Sequence, residues 1–442
     1  MTSNTSVDTH DKTVCIYDYG LFVSWAEKLT ESFGRVLYFC PWQDGFPTSR
    51  KFKIGQGLPG VERVEDFWGV VQRDEADLYV FPDVFCGDIQ EYLRSIGKYV
   101  WGCGLGEELE LYRWETKQLL KQIGLPVQHV ERVIGIENLK DYLRGHEDKY
   151  VKVSLVRGDM ETWHHINYEL SEPRLDEIET RIGANKFEKE FVVEDAIHSE
   201  VEVGYDGFTI DGKFPQTAIQ GYEIKDVAYA GCVRPYSQLP WHVQEVNARL
   251  SPIFQDYGYK GFWSSEIRVP KDNKPYLIDL CCRAGSPPSE VYQELVDNWA
   301  EVMWWGARGE LVDMHPTAKY GVEVLIHSSW ADAHWAALYA PPEIHRWIKL
   351  RNMCRIDDTF YVAPQTVGLP EIGAVVGVDV TILGAIKKVA LYCREITGYD
   401  IDLNMDKIPK AMEAIEAGNK MGIKFCDDVL PTKGQVASAI AC

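Results

Sequence analysis

The 442-residue chain carries a formal net charge of −21, with 45% hydrophobic and 26% charged residues. These are the proportions of a soluble globular protein with ample chain for a core and about three domains. The acidic excess argues against wrapping a nucleic-acid backbone and against docking on anionic membranes.

Eleven cysteines lie scattered, several within apolar runs, and none forms a Cys-x-x-Cys pair. Reduced thiols and a cytoplasmic protein are the expectation. Residues 1–12 are polar, carry no secretory pattern and are expected to be disordered. The apolar stretch 373–391 is interrupted by Asp379, Lys387 and Lys388. It is therefore expected to be a buried element, not a membrane span.

In chain order, residues 13–17 predict a strand, 21–33 a helix and 35–40 a second strand. Strand 77–82, helix 89–96 and strand 99–101 continue the alternation, which implies a parallel α/β sheet over residues 13–105. Gly102 to Glu107 reads GCGLGE and lacks the GxGxxG spacing, so no dinucleotide site is expected there. Residues 107–123 read as one helix closed by Gly124 and Pro126. Helix 137–144, strand 149–154, a polar loop, helix 174–182 and strand 190–193 follow. Strands 201–210 and 214–219 flank an Asp211-Gly212 turn. Helix 241–257 leads into strands 262–269 and 275–280, joined by a polar turn at 271–274. A tryptophan-rich helix over 290–305 is expected to be core. Strands at 321–327 and 359–363, helices at 380–397 and 408–421, and a small-residue tail complete the chain.

The hairpin at 262–280 bears the densest chemistry. Each strand carries one acid among apolar neighbours, Glu266 in the first and Asp279 in the second. Paired strands would bring these carboxylates face to face. Like charges that close need a cation between them, and hard oxygen ligands suit Mg²⁺. Arg283 adds a fixed positive charge suited to phosphate or an oxyanion. An amphipathic surface hairpin with solvated acids is the competing reading.

The pieces in this order resemble the ATP-grasp ligases and, in layout, the glycinamide ribonucleotide synthetases (phosphoribosylamine–glycine ligases), over about residues 13–400. Four stretches carry the resemblance: ELYRWETKQLLKQIGLPV from Glu110, YVKVS from Tyr150, FVVEDAIHSEVEVGYDGF from Phe191, and the hairpin with Asp279-Leu280-Cys281-Cys282-Arg283. The fold implied is α/β: an N-terminal Rossmann-like (pre-ATP-grasp) domain at 13–105, then an ATP-grasp α+β region at 106–317 with a small lid at about 130–198. A small β-rich C-terminal domain at 318–430 and a flexible tail at 431–442 would follow.

The resemblance also implies roles. Arg113, at a position where family members have lysine, and Lys152 would contact nucleotide phosphates, and Arg157 would charge a loop covering them. Backbone groups near Glu194 to Ile197 would hold adenine. Glu200 or Glu202 would hold the ribose hydroxyls, with Glu202 preferred. Glu266 and Asp279 would bind Mg²⁺; Cys281 stands at the family's asparagine position, leaving one metal or two open. Lys152 and Arg283 would be catalytic, and Arg283 and Arg234 would face the substrate. The Arg-Glu-His that follows the family's first glycine turn is absent after Gly20, and the mid-chain glycine loop is rewritten at 230–240.

The implied activity is an ATP-dependent, ADP-forming ligase joining a carboxylate, expected to be an amino acid, to an amine through an acyl-phosphate. ATP and Mg²⁺ are the cofactors, and the partners are small carboxylates and amines. Two alternatives stand beside it. One is a catalytically degenerate nucleotide-binding module. The other is a ligase acting on a large acceptor, such as a nucleobase or a peptide end.

Overall fold

The computed structural model describes residues 7–41, 52–155, 162–199, 201–224, 228–364, 371–403, 405, 408–426 and 428–441. Strands β1 (Thr13–Tyr17), β2 (Arg35–Phe39), β3 (Val61–Arg63), β4 (Leu78–Val80) and β5 (Val100–Trp101) form a parallel sheet in the order β3-β2-β1-β4-β5. Alternate residues of β1 enter opposite cores, Val14 and Ile16 one, Cys15 the other. That is why the strand is apolar throughout: helices cover both faces of a parallel sheet. Helices α1 (Val23–Leu29), α2 (Phe67–Gln72) and α3 (Gly87–Ser95) accompany the sheet.

The expected helix at 107–123 is two helices, α4 (Glu108–Leu111) and α5 (Arg113–Gln122), broken at Tyr112 with φ −97° and ψ 74°. The carbonyls freed by the break find other donors. The Thr116 hydroxyl donates to the Leu109 carbonyl at 2.9 Å, and the Leu155 amide donates to that of Leu111 at 3.3 Å.

A smaller antiparallel sheet follows, with β6 (Val130–Ile134), β7 (Lys149–Val153), β8 (Thr162–His165) and β9 (Glu190–Asp195) in the order β6-β9-β7-β8. Strand β8 lies where a polar loop was expected. Helices α6 (Ile136–Arg144) and α7 (Tyr168–Ile182) share one core with Val151, Val153, Phe191, Val193 and Trp163. Strand alternation then turns Tyr150, Lys152, Val192 and Glu194 to the other face.

The largest sheet contains β10 (Glu202–Ile210), β11 (Thr217–Ile224), β12 (Ala228–Pro235), β13 (Lys260–Arg268), β14 (Tyr276–Cys281) and β15 (Tyr320–His327). Strand β12 takes up residues 230–235 of the expected loop at 230–240. Its AYAGCVRP run is buried between β11 and β15, where a ladder satisfies the backbone better than a loop could. Helix α8 (Trp241–Asp256) packs beneath β10 and β13. The expected helix at 290–305 is also two, α9 (Ser289–Leu295) and α10 (Trp299–Gly306). Between them Val296 is extended and bridges to Pro316, which interrupts the helical ladder.

A small sheet joins β16 (Ala336–Tyr339), β18 (Met353–Ile356), β19 (Thr359–Val362) and β21 (Thr397–Gly398). Strands β17 (Ile348–Leu350) and β20 (Glu371–Asp379) extend the largest sheet to eight strands, in the order β14-β13-β10-β11-β12-β15-β20-β17. The stretch 373–391 is thus most of β20 followed by helix α11 (Ile382–Glu395). Helix α12 (Ile408–Lys420) follows, and Lys433–Ala441, expected as tail, forms helix α13 with Val436 buried. Among the described residues no helix is long and apolar enough to cross a membrane.

Trp25 of α1 ties the parallel sheet to the largest one, with ring centroids 5.0 Å from Phe262, 5.9 Å from Tyr292 and 5.3 Å from Trp299. One row of residues crosses the largest sheet in register: Asp279, Glu266, Gly204, Gly221, Gly231 and Gly321. Two of these glycines allow close approach. A Cβ on Gly221 would collide with the Asp206 carboxylate and the Tyr229 ring, and one on Gly321 with Val291 and Leu295 of α9.

Candidate functional site

Glu266 and Asp279 are direct partners across β13 and β14, both half-buried, with a register shift immediately after Glu266. The smaller sheet and α5 bring cations to this pair. Arg113 Nη1 lies 3.4 Å from Asp279 Oδ1, with the Arg113 side chain 7% exposed. Lys152 Nζ lies 4.0 Å from the same oxygen and donates to the Ile278 carbonyl. Its buried ammonium therefore has partners, which a lysine in an apolar strand requires.

Arg283 extends from the end of β14, and Glu110 of α4 holds it. Arg283 Nε donates to Glu110 Oε1 at 2.9 Å, and the Cys282 amide donates to Oε2 at 2.7 Å. The break at Tyr112 makes both arrangements compatible, because α4 presents Glu110 to Arg283 while α5 presents Arg113 to Asp279.

Lys117, one turn after Arg113, is buried and forms an ion pair with Glu194 at 3.1 Å. Burial pushes its ammonium below the usual lysine range, and Glu194 opposes that shift. Gln128 donates to the other Glu194 oxygen. The Glu194 carboxylate is thus consumed by its own neighbours, and strand β9 holds it at the edge of the cleft. The Ile197 carbonyl accepts from Arg268 Nη1 at 3.2 Å, and Arg268 Nε donates to Glu202 Oε2 at 3.3 Å. The Arg268 guanidinium also lies 5.9 Å from the Tyr150 ring centroid across the cleft.

The structure therefore brings Lys152, Glu194, Glu202, Glu266 and Asp279 of two sheets together with Ile197 and Arg283 beyond their strand ends and Arg113 of α5. Arg234 does not join them. Its guanidinium binds Gln220 Oε1 at 2.8 Å and the carbonyls of Lys424 and Phe425 at 2.9 and 3.3 Å. Arg157 and Glu200 lie outside the described residues. Sequence reasoning assigned no role to Lys117, Glu110 or Arg268. The first two left a signal: each is a charge at a core position of a helix, where an unpaired charge would be prohibitive.

Asp206, two residues along β10 from Gly204, is fully buried and accepts from the Tyr229 hydroxyl at 2.7 Å. Burial raises its carboxyl from 3.8 to about 6, against the hydrogen bond from Tyr229 and the nearby Ser264 hydroxyl. Its contribution to stability is full below the unfolded value of 3.8 and is lost as pH rises through about 6. Asp206→Asn is accordingly expected to be more stable than the wild type above about pH 6, with the gap closing by about pH 4. Urea unfolding across that range measures it, and a gap independent of pH would show that the native carboxyl is not raised.

As a metal site, the pair fits Mg²⁺ held mainly by phosphate oxygens and water, since two facing carboxylates supply hard oxygen donors at one point. Among the described residues no three or more His, Cys, Asp or Glu side chains are grouped so as to hold a metal ion by themselves.

No protein-family model and no curated protein matches the sequence. Solved structures do match. Phosphoribosylamine–glycine ligase from Thermotoga maritima is 14% identical with a TM-score of 0.67, over 88% of this chain and 98% of that one. The biotin carboxylase domain of the Hydrogenobacter thermophilus 2-oxoglutarate carboxylase, solved with MgADP, ADP and bicarbonate, is 11% identical with a TM-score of 0.63, over 93% and 96%. L-amino acid ligase from Bacillus licheniformis is 16% identical with a TM-score of 0.58, over 88% and 98%. These three are ATP-grasp enzymes, and the two facing sheets, the acidic hairpin and the similarity over nearly whole chains give this chain the ATP-grasp fold.

Proposed function

We propose that the chain is an ATP-dependent, ADP-forming ligase that activates a carboxylate as an acyl-phosphate and transfers it to an amine. The carrying observation is the convergence of Arg113 and Lys152, from different elements, on Asp279 where it faces Glu266. Two cations beside two acids in a cleft between sheets suit a polyphosphate and its divalent ion. The MgADP bound to a protein of the same fold supports the same choice of ligands.

In this reading Glu266 and Asp279 hold Mg²⁺, which when bound neutralises charge on the phosphates. Lys152 and Arg113 orient the phosphate oxygens. The ribose hydroxyls fall to Glu202, and the base to backbone groups between Glu194 and Ile197. A substrate carboxylate oxygen attacks the γ-phosphorus and ADP departs. The neutral amine nitrogen then attacks the acyl carbon, inorganic phosphate leaves with the C–O bonding pair, and the surplus proton of the nitrogen passes to the departing phosphate. Arg283, fixed by Glu110, would stabilise the negative charge on the acyl oxygen. Positioning and charge account for the rate, with no protein nucleophile required.

The test is calorimetric titration with ATP in the presence and absence of Mg²⁺, followed by ADP release with a panel of amino acids each paired with candidate amines. Mg²⁺-dependent ATP binding and pair-dependent ADP release are expected. A chain that binds no ATP under either condition refutes the proposal.

A further inference from the structure

A second polar cluster lies further along the same face of the largest sheet. Glu323 of β15 pairs in register with Tyr229 of β12, and its side chain is completely buried. Neither of its carboxylate oxygens has a hydrogen-bond partner among the described residues. Asp206, bound to the Tyr229 hydroxyl, stands beside it. From α9 comes Glu290, which accepts from the Ser286 hydroxyl at 2.6 Å and the Ser289 hydroxyl at 3.2 Å. Arg351 donates to Glu371 Oε2 at 3.0 Å and brings Nη2 to 3.9 Å from Glu290 Oε1, yet its Nε and Nη2 make no hydrogen bond. The buried Tyr292 hydroxyl is likewise unpartnered.

Buried polar atoms without partners are uncommon and costly. Here three such side chains gather in one place. Glu290 and Glu371 face the Arg351 guanidinium and Glu323 lies within its electrostatic reach with Asp206 on its other side, so the charge still missing is positive. Burial, then Glu290, pushes the Glu323 carboxyl well up against the opposing pull of Arg351. A further cation would relieve that state. The cluster also reaches the acidic hairpin, because Cys281, two residues past Asp279 and half-buried, lies near Tyr292.

We propose that Glu323 and the Tyr292 hydroxyl form the seat for the ammonium group of an amine substrate, with the half-buried edge at Cys281 and Ser286 as its approach. This assignment rests on the ligase reading, in which an amine must be held near the acyl-phosphate. Glu323 accepts two N–H donors, Tyr292 accepts a third, and the surrounding carboxylates favour the positive charge. A substituent without N–H donors cannot use these acceptors, so primary amines are selected over quaternary ones.

The probe is methylammonium chloride, with tetramethylammonium chloride at equal ionic strength as control, read by thermal unfolding of the full chain. The wild type is expected to show a saturable rise in Tm with methylammonium alone, and Glu323→Gln to weaken the half-saturation at least tenfold. If Glu323→Gln fails to fold by circular dichroism, Tyr292→Phe takes its place, with a weakening of several fold expected. No preference for methylammonium in the wild type, or an unchanged half-saturation in the folded variant, overturns the assignment. ATP binding measured on the same preparations separates the two claims. A chain that binds methylammonium at Glu323 but not ATP loses the ligase reading and keeps the cation seat; the converse loses only the seat.

Discussion

The double variant Glu266→Gln, Asp279→Asn is expected to lose ADP release by on the order of 10³-fold or more while retaining its fold. Both replacements keep side-chain shape and remove charge at a half-buried point where two strands meet in register. The loss is electrostatic: the carboxylates that would anchor the divalent ion are gone, and an amide oxygen is a weaker ligand for a hard cation. Nucleotide binding should survive better than turnover. Arg113 and Lys152 lie 3.4 and 4.0 Å from Asp279, and neutralising that acid frees both for phosphate. A fall in kcat much larger than the rise in the ATP dissociation constant, with ATP binding no longer responding to Mg²⁺, is therefore the signature to seek. Turnover within tenfold of wild type would remove the hairpin from the mechanism.

Glu110→Ala is expected to cost about 3–5 kcal/mol of stability, as breaking one side of a buried ion pair does. Glu110 and Arg283 have side chains 3% and 14% exposed, and the same carboxylate accepts the Cys282 amide. Truncation would strand a guanidinium and a buried amide together. Glu110→Gln retains one acceptor oxygen, so its cost should be clearly smaller. Urea midpoints at constant m-value distinguish them, and a loss below about 1 kcal/mol for the alanine variant would show that Arg283 finds another partner. Activity should fall in both variants, because Arg283 would no longer be aimed from the end of β14.

Much of the site lies in short-range pattern. A strand of period two places one acid opposite another once the turn at 271–274 sets the register, and that is why Glu266 and Asp279 could be paired from residues alone. Lys152 stands out within YVKVS because an ammonium in an apolar strand demands a partner. The alternation of strands and helices over 13–105 likewise foretold a parallel sheet. Where local pattern misled, a distant segment had intervened. The helix at 107–123 breaks because Leu155, from the far side of the cleft, takes the Leu111 carbonyl. The helix at 290–305 breaks because Val296 bridges to Pro316. The run at 230–235 carries glycine and proline but becomes a strand because β11 and β15 close around it.

The sequence by itself determined the acidic hairpin, the buried strand lysine, the α/β alternation and the resemblance they carry, since each depends on residues within one or two turns of chain. Only the tertiary structure decided which charges meet. Arg113 with Asp279, Arg283 with Glu110, Lys117 with Glu194 and Arg234 with the carbonyls at 424 and 425 are separated by 77 to 191 positions. Burial makes such pairings obligatory without saying in advance which partner will be near, because an ion in a dry interior accepts whichever opposite charge the packing brings to it.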